Sequence, residues 1–365
     1  MKGQRFLVLD GMRGIAAFAV LWTHAGFGFG AYYPDHGYLA VDFFFGLSGF
    51  VLAYAYGGQI RAGLGFWAFA RRRLTRLYPM IFAGGVLGAL AFSPGWNGGW
   101  GKLLWLNASS FLLLPFGLAL HEAGFPTNVP VWSLFFELCA NAVYWAVARR
   151  TVGDARGSLL LIGCTAALLA VIAHLAGGLR DVGVSSVIAF LAGLPRVAVS
   201  FAAGVLIFRT RLYERLPRLP DFVSALALAA LLAMPDCGWW YDMGCVLLAF
   251  PLLLCLGAQA RETLRLHRFW YWCGVLSYPV YVIHQPLLRA VFRLHGNAYA
   301  AMALVLLCAW ALLRWYDEPL RRRLAGRGAA AVVRHGHAFM VAQPVECPDP
   351  DRAVGHEPGA GGAAG

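Results

Sequence analysis

Asp10, Arg13 and His24 stand inside the first apolar run of the chain, FLVLDGMRGIAAFAVLWTHAGFGFG, from Phe6 to Gly30. The run is long enough to cross a bilayer, which takes about 20 apolar residues. Charged groups within such a helix cost roughly 2.5–3.5 kcal/mol each on insertion scales, so a chain that keeps them generally has a use for them. Ten residues separate Arg13 from His24. At helical pitch that step returns to within about 20° of the same face and climbs roughly 16 Å. One face therefore presents an arginine near one membrane surface and a histidine well toward the other. Asp10 sits one turn before Arg13 and can pair with it. The competing reading is that Asp10 and Arg13 snorkel to the headgroups and His24 packs at the interface.

Polar residues in other apolar runs sharpen the choice. Asp42 opens a run at Val41–Tyr56, and Trp132, Ser133 and Glu137 open another at Val131–Ala148, directly after Pro130. Proline suits a helix start. Ser133 and Glu137 are one turn apart and share a face. Ser277, Tyr281 and His284 fall at i, i+4 and i+7 in Trp270–Val291 and form one stripe.

The elements that must position these groups are membrane helices. Of 365 residues, 60% are hydrophobic and 13% charged, and the mean hydropathy is +0.62, far outside the range of a soluble domain. Apolar runs recur from end to end: Phe6–Gly30, Val41–Tyr56, Pro79–Phe92, Val131–Ala148, Leu159–Leu175, Ile188–Phe208, Phe222–Met234, Trp239–Leu256, Trp270–Val291 and Ala298–Trp315. Leu103–Leu120 is also apolar but is broken by Asn107, Ser109, Ser110 and Pro115. Asp317, Glu318 and Pro319 are expected to terminate the last helix. From about Gly326 the chain is rich in Gly, Ala and Pro and reads as disordered. Most cysteines lie inside apolar runs and none stands in C-x-x-C spacing, so neither a metal site nor a disulfide framework is implied. No internal repeat is visible.

Charge sets the orientation. If Leu103–Leu120 does not span, five basic clusters fall on the same side as Lys2 and Arg5: Arg61–Arg76, Arg149–Arg156, Arg209–Arg218, Arg261–Arg268 and Arg314–Arg327. The other side keeps only Lys102, Arg180 and borderline residues such as Arg293. The positive-inside rule prefers this arrangement, and it accounts for most of the net charge of +12 without nucleic acid. The expectation is thus an all-α polytopic membrane protein with about ten transmembrane helices, both termini cytoplasmic and one non-spanning outer segment. Residues 1–325 form the membrane domain and 326–365 a cytoplasmic tail. Asp10, Arg13 and Arg71–Arg76 then lie at the inner end, while His24, Asp42, Trp132, Ser133, Glu137 and His284 lie further out. That split suits a phosphorylated ligand bound inside and proton transfer further out.

The motifs resemble those of the membrane-bound acyltransferase 3 family, bacterial enzymes that O-acylate surface and secreted glycans. The resemblance covers roughly Gln4 to Leu324. It rests on LDGMRGIAAFAVLWTH, an Arg-x10-His with Arg13 and His24; VDFFFGLSGFVLA, with Gly46, Ser48, Gly49 and Phe50; and FARRRLTRLYP, an Arg-x-x-Arg with Arg73 and Arg76 before Pro79. It continues with VWSLFFE, with Trp132, Ser133 and Glu137, and LSYPVYVIHQP, with Ser277, Tyr278, Tyr281 and His284. The resemblance implies acyl transfer, most often acetyl, from acyl-coenzyme A to a hydroxyl on a carbohydrate or lipid-linked glycan, with no metal, in the bacterial inner membrane.

Such a reaction needs a base for the hydroxyl proton and help for the oxyanion. The expected roles follow. His24 is the base, oriented by Glu137. Arg13, Arg73 and Arg76 hold the coenzyme A phosphates, for which guanidinium forks are suited. The small residues Gly46–Gly49, with Ser48, let the pantetheine arm pass between helices. Asp42, Trp132, Ser133, Tyr281 and His284 support the site or the acceptor. All of this requires one continuous cavity from the basic inner mouth to His24. Plainer roles stand beside these: Arg71–Arg76 as a topology anchor, Gly46–Gly49 as helix packing, Ser133 as a helix cap. Two rivals stand for the whole: a secondary transporter of a glycan intermediate, which typically shows repeated halves with broken helices, and a non-catalytic membrane partner.

Overall fold

The computed structural model describes residues 6–93, 99–149, 155–263 and 265–325. The expected tail lies outside these residues, as do Lys2, Arg5 and Arg150. The helices are α1 (Leu7–Phe29), α2 (Ala40–Arg61), α3 (Phe66–Phe92), α4 (Trp100–Leu112), α5 (Val131–Ala148), α6 (Ala155–Ala176) and a short α7 (Val187–Leu191) leading into α8 (Gly193–Arg209). They continue with α9 (Asp221–Ala233), then α10 (Trp239–Gly244) and α11 (Phe250–Gln259), joined by a π-helical turn at Cys245–Ala249. Next come α12 (His267–Arg293) and α13 (Ala298–Leu312), which passes through a second π-turn at Leu313–Asp317 into α14 (Glu318–Ala325). Among the described residues no strand is formed beyond one isolated bridge, Pro220 to Arg261.

Each expected span coincides with a helix. Among the described residues, seven helical stretches are long and apolar enough to cross a membrane. Among the rest, α1 and α12 have the length, at 23 and 27 residues, but carry the polar side chains discussed above. α4, with 13 residues, is only about 20 Å long, short of a hydrocarbon core of roughly 30 Å. This agrees with a non-spanning segment. α9 also has 13 residues, yet its ends are pinned at opposite ends of the bundle. Asp221 at its start accepts from Trp270 Nε1 at the foot of α12, at 2.8 Å, and Leu232 near its end accepts from His36 N in the loop after α1, at 3.3 Å. The last helix does not stop at Asp317–Pro319 as expected. The π-turn absorbs the proline and buries Asp317, which pairs with Arg321 one turn on. π-turns of this kind often mark functional or strained positions.

Two helix pairs carry the closest packing: α1 along α12 and α2 along α8. Apolar helices in lipid gain little hydrophobic energy by associating, so close backbone approach through small residues decides where they meet. A Cβ on Gly14 of α1 would overlap the carbonyl of Cys273 in α12, and one on Gly204 of α8 would overlap the carbonyl of Gly46 in α2. Gly46 and Gly49 thus face α8, not an open passage, which corrects the expected pantetheine path between these residues.

Gly14→Val should disrupt the α1–α12 contact, costing about 1–3 kcal/mol or more, and lower the melting temperature in detergent. Gly28→Ala, on the same helix but facing open space, should melt as the parent does.

Candidate active site

Two chambers lie on the axis between the expected inner mouth and His24. The outer one, of about 230 Å³, is lined by His24 and Thr23 of α1, the aromatic rings of Tyr38 and Trp132, Arg180 and Asp181, among others. His24 is half-buried there. Its Nδ1 lies 2.9 Å from the Val20 carbonyl. A carbonyl only accepts, so Nδ1 carries the proton and the Nε2 lone pair is left for other partners. His284 is arranged in the same way: Nδ1 donates to the Tyr281 carbonyl at 2.7 Å, and among the described residues the fully buried Nε2 has no hydrogen-bond partner. The two imidazole centres are 5.0 Å apart. α1 and α12 thus deliver to one place two histidines, each with Nδ1 committed to a backbone carbonyl.

The inner chamber is smaller, about 50 Å³, and is lined by Arg13, Phe44, Ser48, Ser133, Glu137, Ser277, Tyr278 and Tyr281, among others. Arg13 donates through Nε to Ser277 Oγ at 2.7 Å and through Nη2 to the Gly274 carbonyl at 2.6 Å, and pairs with Asp10 at 3.4 Å. Glu137 Oε1 accepts from Ser48 Oγ at 2.8 Å and from Arg73 Nη2 at 2.7 Å. Asn141, one turn further along α5 with its amide oxygen turned to Arg73, accepts from Nε at 3.0 Å.

Several expected roles change on this geometry. Glu137 does not reach His24; its carboxylate is engaged by Arg73 and Ser48, and the Val20 carbonyl fixes the His24 tautomer instead. Arg73 is 3% exposed and faces Glu137, and Arg13 is buried against α12. Neither guanidinium reaches the protein surface. Arg76 is half-buried one turn further along α3 than Arg73, and Arg71 and Arg72 are exposed just before Arg73. Ser48 lines the inner chamber. Ser133 does not cap α5 by accepting an amide proton; its hydroxyl donates to the Pro130 carbonyl at 3.0 Å and meets the Tyr281 hydroxyl at 2.7 Å. The expected cavity takes the form of two adjacent chambers. Among the described residues Tyr281 alone lines both.

Asp42 supports the outer chamber through a residue that sequence reading missed. Arg196 of α8, 1% exposed, grips Asp42 through Nε at 3.0 Å and Nη2 at 2.7 Å. It also donates to the carbonyls of Leu179 and Val182, both at 2.8 Å, and its guanidinium lies 5.5 Å from the Trp132 ring. This one cation therefore ties α2, α5, α8 and the loop carrying Arg180 into the chamber wall. Its signal in the sequence was a lone arginine inside an apolar span, LAGLPRVAVSFAAG. Tyr38 completes the wall by donating to Asp242 at 2.8 Å.

The fold and these chambers define a multi-helix membrane protein with paired histidines above an arginine–carboxylate cluster. A family model described as an acyltransferase domain, acyltransferase 3, matches residues 6–314. The chain belongs to the acyltransferase 3 family. It is similar to "Protein 2 in picA locus" of Rhizobium radiobacter, with 39% identity over 190 residues, covering 47% of this chain and 95% of that relative. No solved structure matches it.

Removing one partner of a buried ion pair typically costs about 3–5 kcal/mol, because a charge is left buried and uncompensated. Asp42→Asn should therefore lower the melting temperature strongly, and adding Arg196→Met should restore part of the loss. His36, at the outer end, gives a pH-dependent case. It is fully buried, stacks on Tyr241 at 4.4 Å, and among the described residues neither ring nitrogen has a hydrogen-bond partner. Burial pushes its pKa below the usual 6.5, against the pull of Asp242, Asp236 and Asp35. The folded protein then binds fewer protons than the unfolded chain just below that value, so stability falls as pH drops through it. His36→Phe should flatten this acid limb, read as melting temperature at pH ~5 against pH ~8.

Proposed function

We propose that the protein transfers a short acyl group, acetyl being the simplest, from cytosolic acyl-coenzyme A to a hydroxyl of a carbohydrate or lipid-linked glycan reached from the outer side. The observation that carries this reading is the half-buried His24 in the outer chamber, its Nδ1 committed to a carbonyl and its Nε2 free to accept a proton. His24 is the general base and His284 its companion. Trp132 and Tyr38 offer ring faces, and Asp181 and Arg180 offer polar groups, a combination suited to a sugar. The inner chamber, at about 50 Å³, has room for only a few waters at roughly 10–15 Å³ each on the same measure, which favours a small acyl group. Coenzyme A phosphates fall to Arg76 with Arg71 and Arg72, while Arg73 shapes the inner chamber through Glu137.

The same proposal places ten crossings in a bacterial inner membrane with both termini cytoplasmic. The alternation of contacts supports it. Arg13 meets Ser277 and His24 meets His284, so α1 and α12 run the same way at matching depth, and Ser48 meets Glu137, so α2 and α5 do as well.

Radiolabelled acetyl-coenzyme A given to the purified protein separates this function from its rivals. Transfer or slow hydrolysis is expected. Uptake into vesicles without chemistry points to a transporter, and no binding to a non-catalytic partner. His24→Gln should reduce transfer by at least 10²-fold, the lower range for loss of a positioned base, with the melting temperature retained. Normal turnover in that variant would remove the base assignment.

A further inference from the structure

Tyr281 stands where the two chambers meet. Its side chain is 5% exposed, and the Phe44 ring packs edge-on against it at 5.4 Å. Its hydroxyl lies 2.7 Å from Ser133 Oγ and 3.3 Å from the Pro130 carbonyl. Ser133 Oγ has one proton and is also 3.0 Å from that carbonyl. With the serine proton on the carbonyl, the phenol proton points at Ser133 Oγ. The tyrosine is then a fixed donor whose present acceptor is a neutral hydroxyl, a weaker partner than an anion would be.

In an acyl transfer across this junction, the carbonyl carbon must be reached by the donor from one chamber and by the acceptor hydroxyl from the other. The reacting carbon therefore comes to the side chain shared by both. There the carbonyl oxygen gains charge in a buried setting, where a preorganised donor has most effect. Glu137, which also lines the inner chamber, accepts from Arg73 and Ser48. Arg13 and Arg73 are held by other partners.

We propose that the Tyr281 phenol is the oxyanion donor of the reaction, aimed by Ser133; this rests on the acyl-transfer reading above. The acceptor oxygen attacks the thioester carbon as its proton passes to His24 Nε2. The C–O bond forms, the carbonyl π electrons move to oxygen, and the Tyr281 O–H switches from Ser133 to that oxygen. As the oxyanion collapses, the C–S bond breaks and the electron pair leaves on sulfur. The proton held by His24 restores the coenzyme A thiol, and the phenol returns to Ser133. The products are the acylated hydroxyl and free coenzyme A, with no net change at the protein.

The test uses full-length protein in lipid nanodiscs, [14C]acetyl-coenzyme A as donor, and envelope saccharide extracted from a strain lacking the gene as acceptor. Tyr281→Phe keeps the ring that divides the chambers and removes only the hydroxyl. The expected result is a fall in kcat of about 10²–10³-fold, the loss seen when one oxyanion donor is removed, with KM for acetyl-coenzyme A within about two-fold. Ser133→Ala should lower kcat by less, and the double variant should be no worse than Tyr281→Phe alone, because the serine acts only through the phenol. Tyr281→fluorotyrosine, which preserves shape and hydroxyl but makes the phenol a stronger hydrogen-bond donor, should keep kcat within a few-fold of the parent or raise it. It also serves if the phenylalanine variant does not fold. A Tyr281→Phe rate near that of the parent, or a fluorotyrosine rate as low as that expected of the phenylalanine variant, overturns the assignment while leaving acyl transfer intact. No label on the saccharide with the parent protein sinks both.

Discussion

The contact between α1 and α12 is the constraint on which the site depends. Glycines at the crossing let the two backbones approach closely, and Arg13 then fixes the register by bonding the Gly274 carbonyl and Ser277. From Arg13 to His24 is eleven residues, and from Gly274 to His284 is ten. At about 1.5 Å per residue both helices climb nearly the same distance from that anchor. The two histidines arrive at the same height for this reason, and their separation of 5.0 Å follows from it. Neither ring needs a carboxylate to hold it. A helix carries its own acceptor one turn back, so a buried histidine can be oriented by the backbone alone.

Buried charges elsewhere do a related job. Between apolar helices, burial of surface does not prefer one register over another, since lipid tails are as apolar as the side chains. A charge left alone in that setting is costly, so polar pairs become the specifying contacts. Arg73–Glu137 joins α3 to α5, Arg196–Asp42 joins α8 to α2, and Arg321–Asp317 closes the last π-turn. The first two also stand beside the chambers. Stability and site geometry are therefore coupled here, and a substitution in either pair acts on both.

How much of this was legible in the sequence follows from which contacts are local. The helices were readable because a run of about 20 apolar residues has few other uses, and the shared face of Arg13 and His24 because helical pitch fixes it. Partners across helices were not readable. Glu137 faces an arginine and a serine from two other helices, separated from it by 64 and 89 residues, and nothing in its own neighbourhood distinguishes those from His24. Arg196 was visible as an arginine in an apolar span but was absorbed into a count of helices. Asp317 looked like a terminator because Asp-Glu-Pro usually ends a helix, and the π-turn that accommodates it depends on a buried pairing with Arg321. The chambers themselves are a property of packing, so a continuous passage and a divided one have the same sequence pattern.

The division has a physical consequence for a membrane enzyme. An activated acyl group held in an open aqueous passage would meet water at far higher concentration than any acceptor. Closing the passage excludes water and strengthens the local electrostatics, but it also removes the solvent that would carry a proton or stabilise an oxyanion. Those tasks then fall to fixed side chains at the closure. An aliphatic plug would separate the chambers as well as Tyr281 does, and would not need Ser133 or the Pro130 carbonyl beside it. A phenol at that point, with its hydroxyl held by two oxygen atoms at the start of α5, combines a wall with a polar group on the line between donor and acceptor. Group transfer between two adjoining chambers draws on both parts in one place.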